Sequence, residues 1–423
     1  MKANNNKVLS LFFVTIFLST VNEYFTYVYI GTLLGKVISL VDEAFVIWLL
    51  IHTLSTKSIH LNSTVKIGVV GFCLCGLLSN FLHGTSAWVS VLGLFNTLKP
   101  VIIFICFIQY TFSWNNFKLL MRKFEYFFPV IAIGFFIDAL TPAFHQILGI
   151  GVPYFRAGIR VLSGIFVKET NCTLWALIFY IYYRFYRPNE KKSKAKYVLA
   201  MIMTLFTFKV KDILGIVACY TFTMLKRVNL VYIFVGVPIV ALSFFIYVTF
   251  MPEHYTEYFK SDRDNSNVAR VVLNYTSTAI AKDNIPLGVG FGQFASPVSR
   301  DYDSSVYKKY GIDHVYGLTN EKGEANYMCD TFWPMILGET GILGVLFYML
   351  ILYEAFGKNL FKFFQDTHNL NYLFPSLLFI VFLIVSIGKP VFSGPPHSFV
   401  VWGFAGLFYS LKNSTYEASR FSK

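Results

Sequence analysis

Long apolar stretches recur along this chain, separated by short polar breaks, and they are continuous rather than alternating as half-buried strands would be. An α-helix needs roughly 20 apolar residues to cross a hydrocarbon core. Lipid offers no partner to backbone N–H and C=O groups, so such stretches are forced into helices. The pattern predicts about a dozen, at 8–30, 37–54, 67–83, 89–111, 125–148, 171–186, 197–208, 212–225, 228–250, 332–355, 370–388 and 397–411. The expected fold class is an all-α polytopic membrane protein. Two regions resist the pattern: Asp42 and Glu43 interrupt the second stretch, and 197–225 reads either as two short helices or as one kinked helix.

The rhythm breaks once, at residues 251–330, a polar segment of 80 residues. It divides the chain into 1–250 with about nine spans, the large loop 251–330, and 331–423 with about three spans. A structureless loop of that length is unusual, so helices and function are expected within it. Its eight tyrosines (Tyr255, Tyr258, Tyr275, Tyr302, Tyr307, Tyr310, Tyr316 and Tyr327) suit both a membrane interface and the faces of sugars.

Charge orients this picture. The formal net charge is +13. With the N-terminus inside, the inner breaks carry Lys57 and Lys66; Lys118, Arg122 and Lys123; Arg187, Lys191, Lys192, Lys194 and Lys196; Lys226 and Arg227; Lys358 and Lys362; and Lys412, Arg420 and Lys423. Short outer breaks are nearly free of such clusters, which is the positive-inside pattern and places both termini in the cytoplasm. The large loop falls outside and holds 11 Asp/Glu against 8 Lys/Arg. Basic residues gathered in inter-span breaks argue against a nucleic-acid surface. The first apolar run is long and lacks a small-residue cleavage site, so it reads as a span or signal anchor. Of six cysteines, most lie within apolar runs, and none shows metal-ligand spacing, so no structural metal is expected. Cys172 and Cys329 both fall near the outer face, which leaves a disulfide between them open.

Ionisable groups in or beside spans are costly and often functional. Arg156, Arg160, Lys168 and Glu169 crowd one outer stretch, RAGIRVLSGIFVKETN. Positive residues outside run against the topology rule; an anionic ligand such as pyrophosphate would explain them, and so would an Arg–Glu pair or a lipid headgroup. Arg270 precedes PLGVGFGQF, whose Gly288, Gly290 and Gly292 serve either a phosphate cradle or tight turns. In DTFWPMILGETGILG, Asp330 is a candidate general base or a helix N-cap, and Glu339 is a carboxylate buried in a span. Lys209, Lys211 and Asp212 form a smaller outer group. Lys99 and Asp138 are lone intramembrane charges that could bind substrate or each other, and His397 marks the beginning of the last span.

Taken in order, these motifs resemble the O-antigen polymerase/ligase superfamily (Wzy and WaaL types). Arg160, Gly164 and Phe166 in R-x-x-x-G-x-F, followed by Glu169 and Asn171, resemble its outer-loop segment. Arg270 with P-L-G-x-G-x-G-x-F resembles its large periplasmic loop, and GETGILG at 338–344 the helix that closes that loop. The resemblance covers roughly residues 150–350. It implies a GT-C-like, metal- and cofactor-independent glycosyltransferase of the bacterial inner membrane. Such an enzyme joins undecaprenyl-pyrophosphate-linked oligosaccharide units at the periplasmic face. Membrane lipid would be a partner, with room for a chain-length regulator, and nucleic acid would not. By carry-over, Arg160 and Arg270 would bind pyrophosphate; apart from the analogy, Arg156, Lys209 and Lys211 are further candidates to bind the substrate, and Asp330, Glu169 or Glu339 could supply the base that glycosyl transfer needs. Ligases begin the closing helix with His-Asn; this chain has Asp330-Thr331, and it has Lys209 and Lys211 where ligase-like members tend to show Ser-Arg. Both departures favour polymerase over ligase. A flippase for the same lipids is the rival of another class; it would call for internal pseudo-symmetry, which the single late loop does not offer.

Overall fold

The computed structural model describes residues 2–28, 33–149, 155–156, 158–225, 268–318 and 327–411. The ninth expected span, 228–250, the segment 251–267 and the basic residues of 412–423 lie outside the described residues.

The apolar runs are helices. In chain order these are α1 (Lys2–Val28), α2 (Leu33–Ser39), α3 (Val41–Thr56), α4 (Ser63–Leu82), α5 (Ala87–Phe107), α6 (Trp114–Leu140) and the short α7 (Phe144–Ile147). A two-residue antiparallel ladder follows, β1 (Phe155–Arg156) with β2 (Ile159–Arg160). Next come α8 (Glu169–Ile181), extended by a π-turn at Tyr182–Tyr186, α9 (Ser193–Leu205) and α10 (Val210–Met224). The large polar segment contributes α11 (Ala269–Asp283), α12 (Pro297–Asp301) and α13 (Val306–Lys309). The chain then forms α14 (Trp333–Leu352), a π-turn at Tyr353–Gly357, α15 (Lys358–Gln365), α16 (Leu370–Val385) and α17 (His397–Leu411).

Local chemistry explains several boundaries. Asn62 caps α4 by accepting from Thr64 N–H at 3.3 Å, and Ser86 caps α5 by accepting from Val89 N–H at 3.3 Å. The 197–225 stretch is two helices. They are separated by a turn in which Phe208 has φ 47°, a conformation no helix continues through.

Burial is that of a membrane-embedded protein. Among the described residues four helical stretches, Ser63–Leu82, Ala87–Phe107, Trp333–Gln365 and Leu370–Gly388, are long and apolar enough to cross a membrane. Their outward faces are apolar, for example Ile67, Val70, Leu74, Leu78 and Phe81 on α4. Charged groups are turned inward: Asp42, Lys99, Asp138, Glu339 and Glu354 are all buried. Water would select the reverse arrangement; lipid selects this one. α4 and α14 approach closely because Gly71 leaves room for the Phe347 ring, 2.5 Å from where a Cβ would stand.

Polar contacts sort the helix ends into two sets. At one end Asn5 donates to Thr111 O at 2.6 Å, His60 N–H to Gln109 at 3.0 Å, and Asn62 to Glu354 at 3.2 Å. At the other end His83 meets Asn284 at 3.0 Å, Trp88 donates to Tyr302 at 2.8 Å, and Leu162 N–H to Phe206 O at 3.1 Å. The first set comprises segments expected inside and the second segments expected outside.

Lys99 and Asp138 do not pair with each other. Lys99 Nζ contacts Asp42, and Glu43 Oε1 at 2.6 Å, so the two acidic residues that interrupted the second stretch are its counter-ions. All six cysteines are free, and the Cys172–Cys329 disulfide does not form.

Candidate functional site

Five elements bring charged side chains together at the loop-bearing end. Lys209, at the N-cap of α10, places Nζ 2.7 Å from Glu169 Oε1 on the first residue of α8. Lys211, two residues on, donates to Gly388 O at 2.9 Å in the turn after α16. Arg270, in the first turn of α11, meets Asp330 Oδ2 at 2.6 Å. Lys389 donates to the Thr170 hydroxyl, and His397 contacts Thr170 O at 3.2 Å. Asp212 accepts from Thr173 at 3.1 Å. Gly388 marks the convergence: a Cβ there would lie 3.6 Å from Lys211 Nζ and 3.8 Å from an Arg270 guanidinium nitrogen. Four cations thus gather with three carboxylates, and the net positive charge favours an anion.

The two helices that meet near Lys209 and Lys211 are short. α9 and α10 have 13 and 15 residues, hence about 20 and 22 Å at 1.5 Å per residue, short of a hydrocarbon core of about 30 Å. Below the cluster a narrow cleft runs between α8, α10 and α16. Asp212 and His397 line its polar end, and Leu177, Ile216 and Val381 its apolar end.

Asp330 is not the cap of α14. That helix begins at Trp333 with Phe332 at its N-cap and no side-chain cap bond, while the Asp330 carboxylate takes Arg270.

Arg160 belongs to a neighbouring cluster. Its guanidinium lies 3.4 Å from Asp138 Oδ1, and Asp138 Oδ2 accepts the N–H groups of Ser163 and Gly164 at 2.9 Å each. His145 Nε2 stands 3.5 Å from the same carboxylate. The buried aspartate therefore clamps the β-ladder and its following turn onto α6, with Arg160 as counter-ion. The Arg156 side chain lies outside the described residues.

The glycine run is a structural insertion. α14 breaks at Gly341, with φ 70° and ψ −169°, a conformation essentially restricted to glycine. Leu287 fills the break, its carbonyl carbon 2.2 Å from where a Gly341 Cβ would stand. Val289 N–H donates to Gly338 O at 2.9 Å and Gly290 N–H to Glu339 O at 2.8 Å. Glu339 Oε1 accepts from Gly292 and Phe294 N–H at 2.9 and 3.3 Å, and Asn80 exchanges two bonds with Phe291, each 2.9 Å. The N–H groups a phosphate cradle would present are occupied. The Glu339 carboxylate is thus held by this loop and by the Ser296 side chain just beyond it.

The structure thus brings together Arg270, Asp330, Lys209, Lys211 and Glu169, and sets Arg160 and Glu339 apart. Sequence reasoning passed over Lys389 and Thr170. The signal for Lys389 was present, a lone lysine in an outer break, the same anomaly that singled out Arg160. Cys329, near Asp330, is no nucleophile, because burial pushes its thiol up to about 12. Among the described residues, no three His, Cys, Asp or Glu side chains gather as a metal site. No family model matches the chain, and no curated protein matches it.

Proposed function

We propose that this chain is a polysaccharide polymerase joining undecaprenyl-pyrophosphate-linked oligosaccharide units at the periplasmic face of a bacterial inner membrane. It would do so within a GT-C-like fold of twelve spans. The observation that carries the reading is the convergence of Arg270, Lys209, Lys211 and Lys389 beside Asp330, at the helix ends that bear the large loop. Glycosyl transfer from a pyrophosphate donor needs positive charge on the leaving group and a base for the acceptor hydroxyl. The cations supply the first without a metal. The acceptor oxygen attacks the anomeric carbon, the bond from that carbon to the pyrophosphate oxygen breaks, and the electron pair departs with undecaprenyl pyrophosphate. Asp330 takes the hydroxyl proton. Glu169 orients Lys209.

Reconstitution of the full chain in proteoliposomes with a lipid-linked repeat unit tests the proposal. Polymer is the expected product. Movement of the unit across the bilayer without polymer would make the protein a flippase, and transfer of finished polymer to a second lipid would make it a ligase.

A further inference from the structure

Each cation of the cluster is engaged at rest by an oxygen that a phosphoryl oxygen could replace: a carboxylate for Lys209 and Arg270, a carbonyl for Lys211, a hydroxyl for Lys389. These engagements differ in openness. The Lys209 and Glu169 side chains are each 17% exposed, whereas Arg270 and Asp330 are 38% and 31% exposed. An ion pair as open as the second contributes little and exchanges readily. Asp330 is also uncommitted as a cap, since α14 starts at Trp333 without one.

We infer that the Asp330 carboxylate is an internal stand-in for the ligand, occupying on Arg270 the seat of a diphosphate, and that diphosphate binding displaces it. A diphosphate brings more charge than a carboxylate and offers the guanidinium two-pronged contacts, so it wins the exchange. Displacement has a second effect. The Asp330 oxygen that meets Arg270 at 2.6 Å is released by the exchange, leaving both carboxylate oxygens free to turn to an acceptor hydroxyl. The donor's own head group would thus help arm the base. This arming step rests on the function proposed above; the displacement does not.

The test uses the purified full-length protein and inorganic pyrophosphate as the probe, read by titration calorimetry. Asp330→Asn should bind pyrophosphate about three- to fivefold more tightly than wild type, the scale of an open ion pair removed as competitor. Arg270→Gln should bind at least about tenfold more weakly. Asp301→Asn removes the same charge from an exposed loop pair with Arg300 and should leave affinity unchanged. Asp330→Ser serves in the same role should the Asn variant fail to fold. In turnover assays Asp330→Asn should lower KM for the lipid-linked donor while lowering kcat. Unchanged or weaker pyrophosphate binding in both Asp330 variants overturns the inference, the weaker result meaning that Asp330 positions Arg270. Wild type that makes polymer without this tightening refutes the stand-in alone. Tightening in a protein that makes no polymer refutes the proposed function and leaves the stand-in intact.

Discussion

Glu339 and Arg160 are charged residues engaged in holding the structure, in contrast to Asp330 and Arg270, which are proposed for chemistry. Glu339 is 1% exposed and its carboxylate receives two loop N–H groups. Glu339→Gln keeps an acceptor oxygen, so initial rates should stay within about threefold of wild type, as expected for a neutral replacement of a hydrogen-bonded group. Glu339→Leu leaves both N–H groups buried and unpaired, a cost of about 1–3 kcal/mol each, and should lower the melting temperature sharply. A rate collapse in the Gln variant at normal stability would make Glu339 a catalytic group after all. The two arginines should separate in the same way. Arg270→Ala should cut turnover by about a hundredfold with little change in melting, as for a lost electrostatic contact to the leaving group. Arg160→Ala strands the Asp138 charge and should lower melting, with relief when Asp138→Asn is added. Equal rate defects in folded protein would return Arg160 to the site. The sequence made these residues conspicuous because charge near a span is costly. It did not reveal their partners. Glu339 meets a residue 47 positions away and Arg270 one 60 positions away, and neither pairing leaves a local pattern.

Helices were far more legible than their partnerships. Eleven of the expected spans have a helix within the described residues, because apolar continuity in lipid admits little else. Asp42 and Glu43 seemed to spoil the second span only because Lys99 lies more than 50 residues away, on α5. That tie between α3 and α5 gives a prediction of its own. Lys99→Met leaves two carboxylates without their cation inside the protein and should cost about 3–5 kcal/mol, seen as loss of monodisperse protein on size exclusion. Adding Asp42→Asn should restore part of the yield. A fully stable Lys99→Met protein would show that the trio contributes nothing to holding the helices together. The shortness of α9 and α10 was visible as a weak pair of apolar runs, but not the turn at Phe208 that separates them ahead of Lys209 and Lys211.

For the whole molecule, the sorting of polar contacts into two end-sets makes sidedness testable at a pair of exposed positions. In a cysteine-free background, Lys192→Cys should react with an impermeant maleimide only after the inner membrane is permeabilised, and Asp303→Cys should react without it. The same accessibility at both positions would break the alternating arrangement. Charge asymmetry is the sequence signal behind this expectation; the insertion of the glycine run into the gap at Gly341 was not readable, since glycines permit many backbones and name none. That insertion also imposes a timetable on biosynthesis. Residues 286–294 leave the ribosome before α14 exists, yet several of the groups that hold them, the Gly338 and Glu339 carbonyls and the Glu339 carboxylate, are on α14. Before then the loop has its contacts with Ser79 and Asn80 of α4 but not these, so a nascent chain paused ahead of α14 would hold it half-seated and open to quality-control proteolysis.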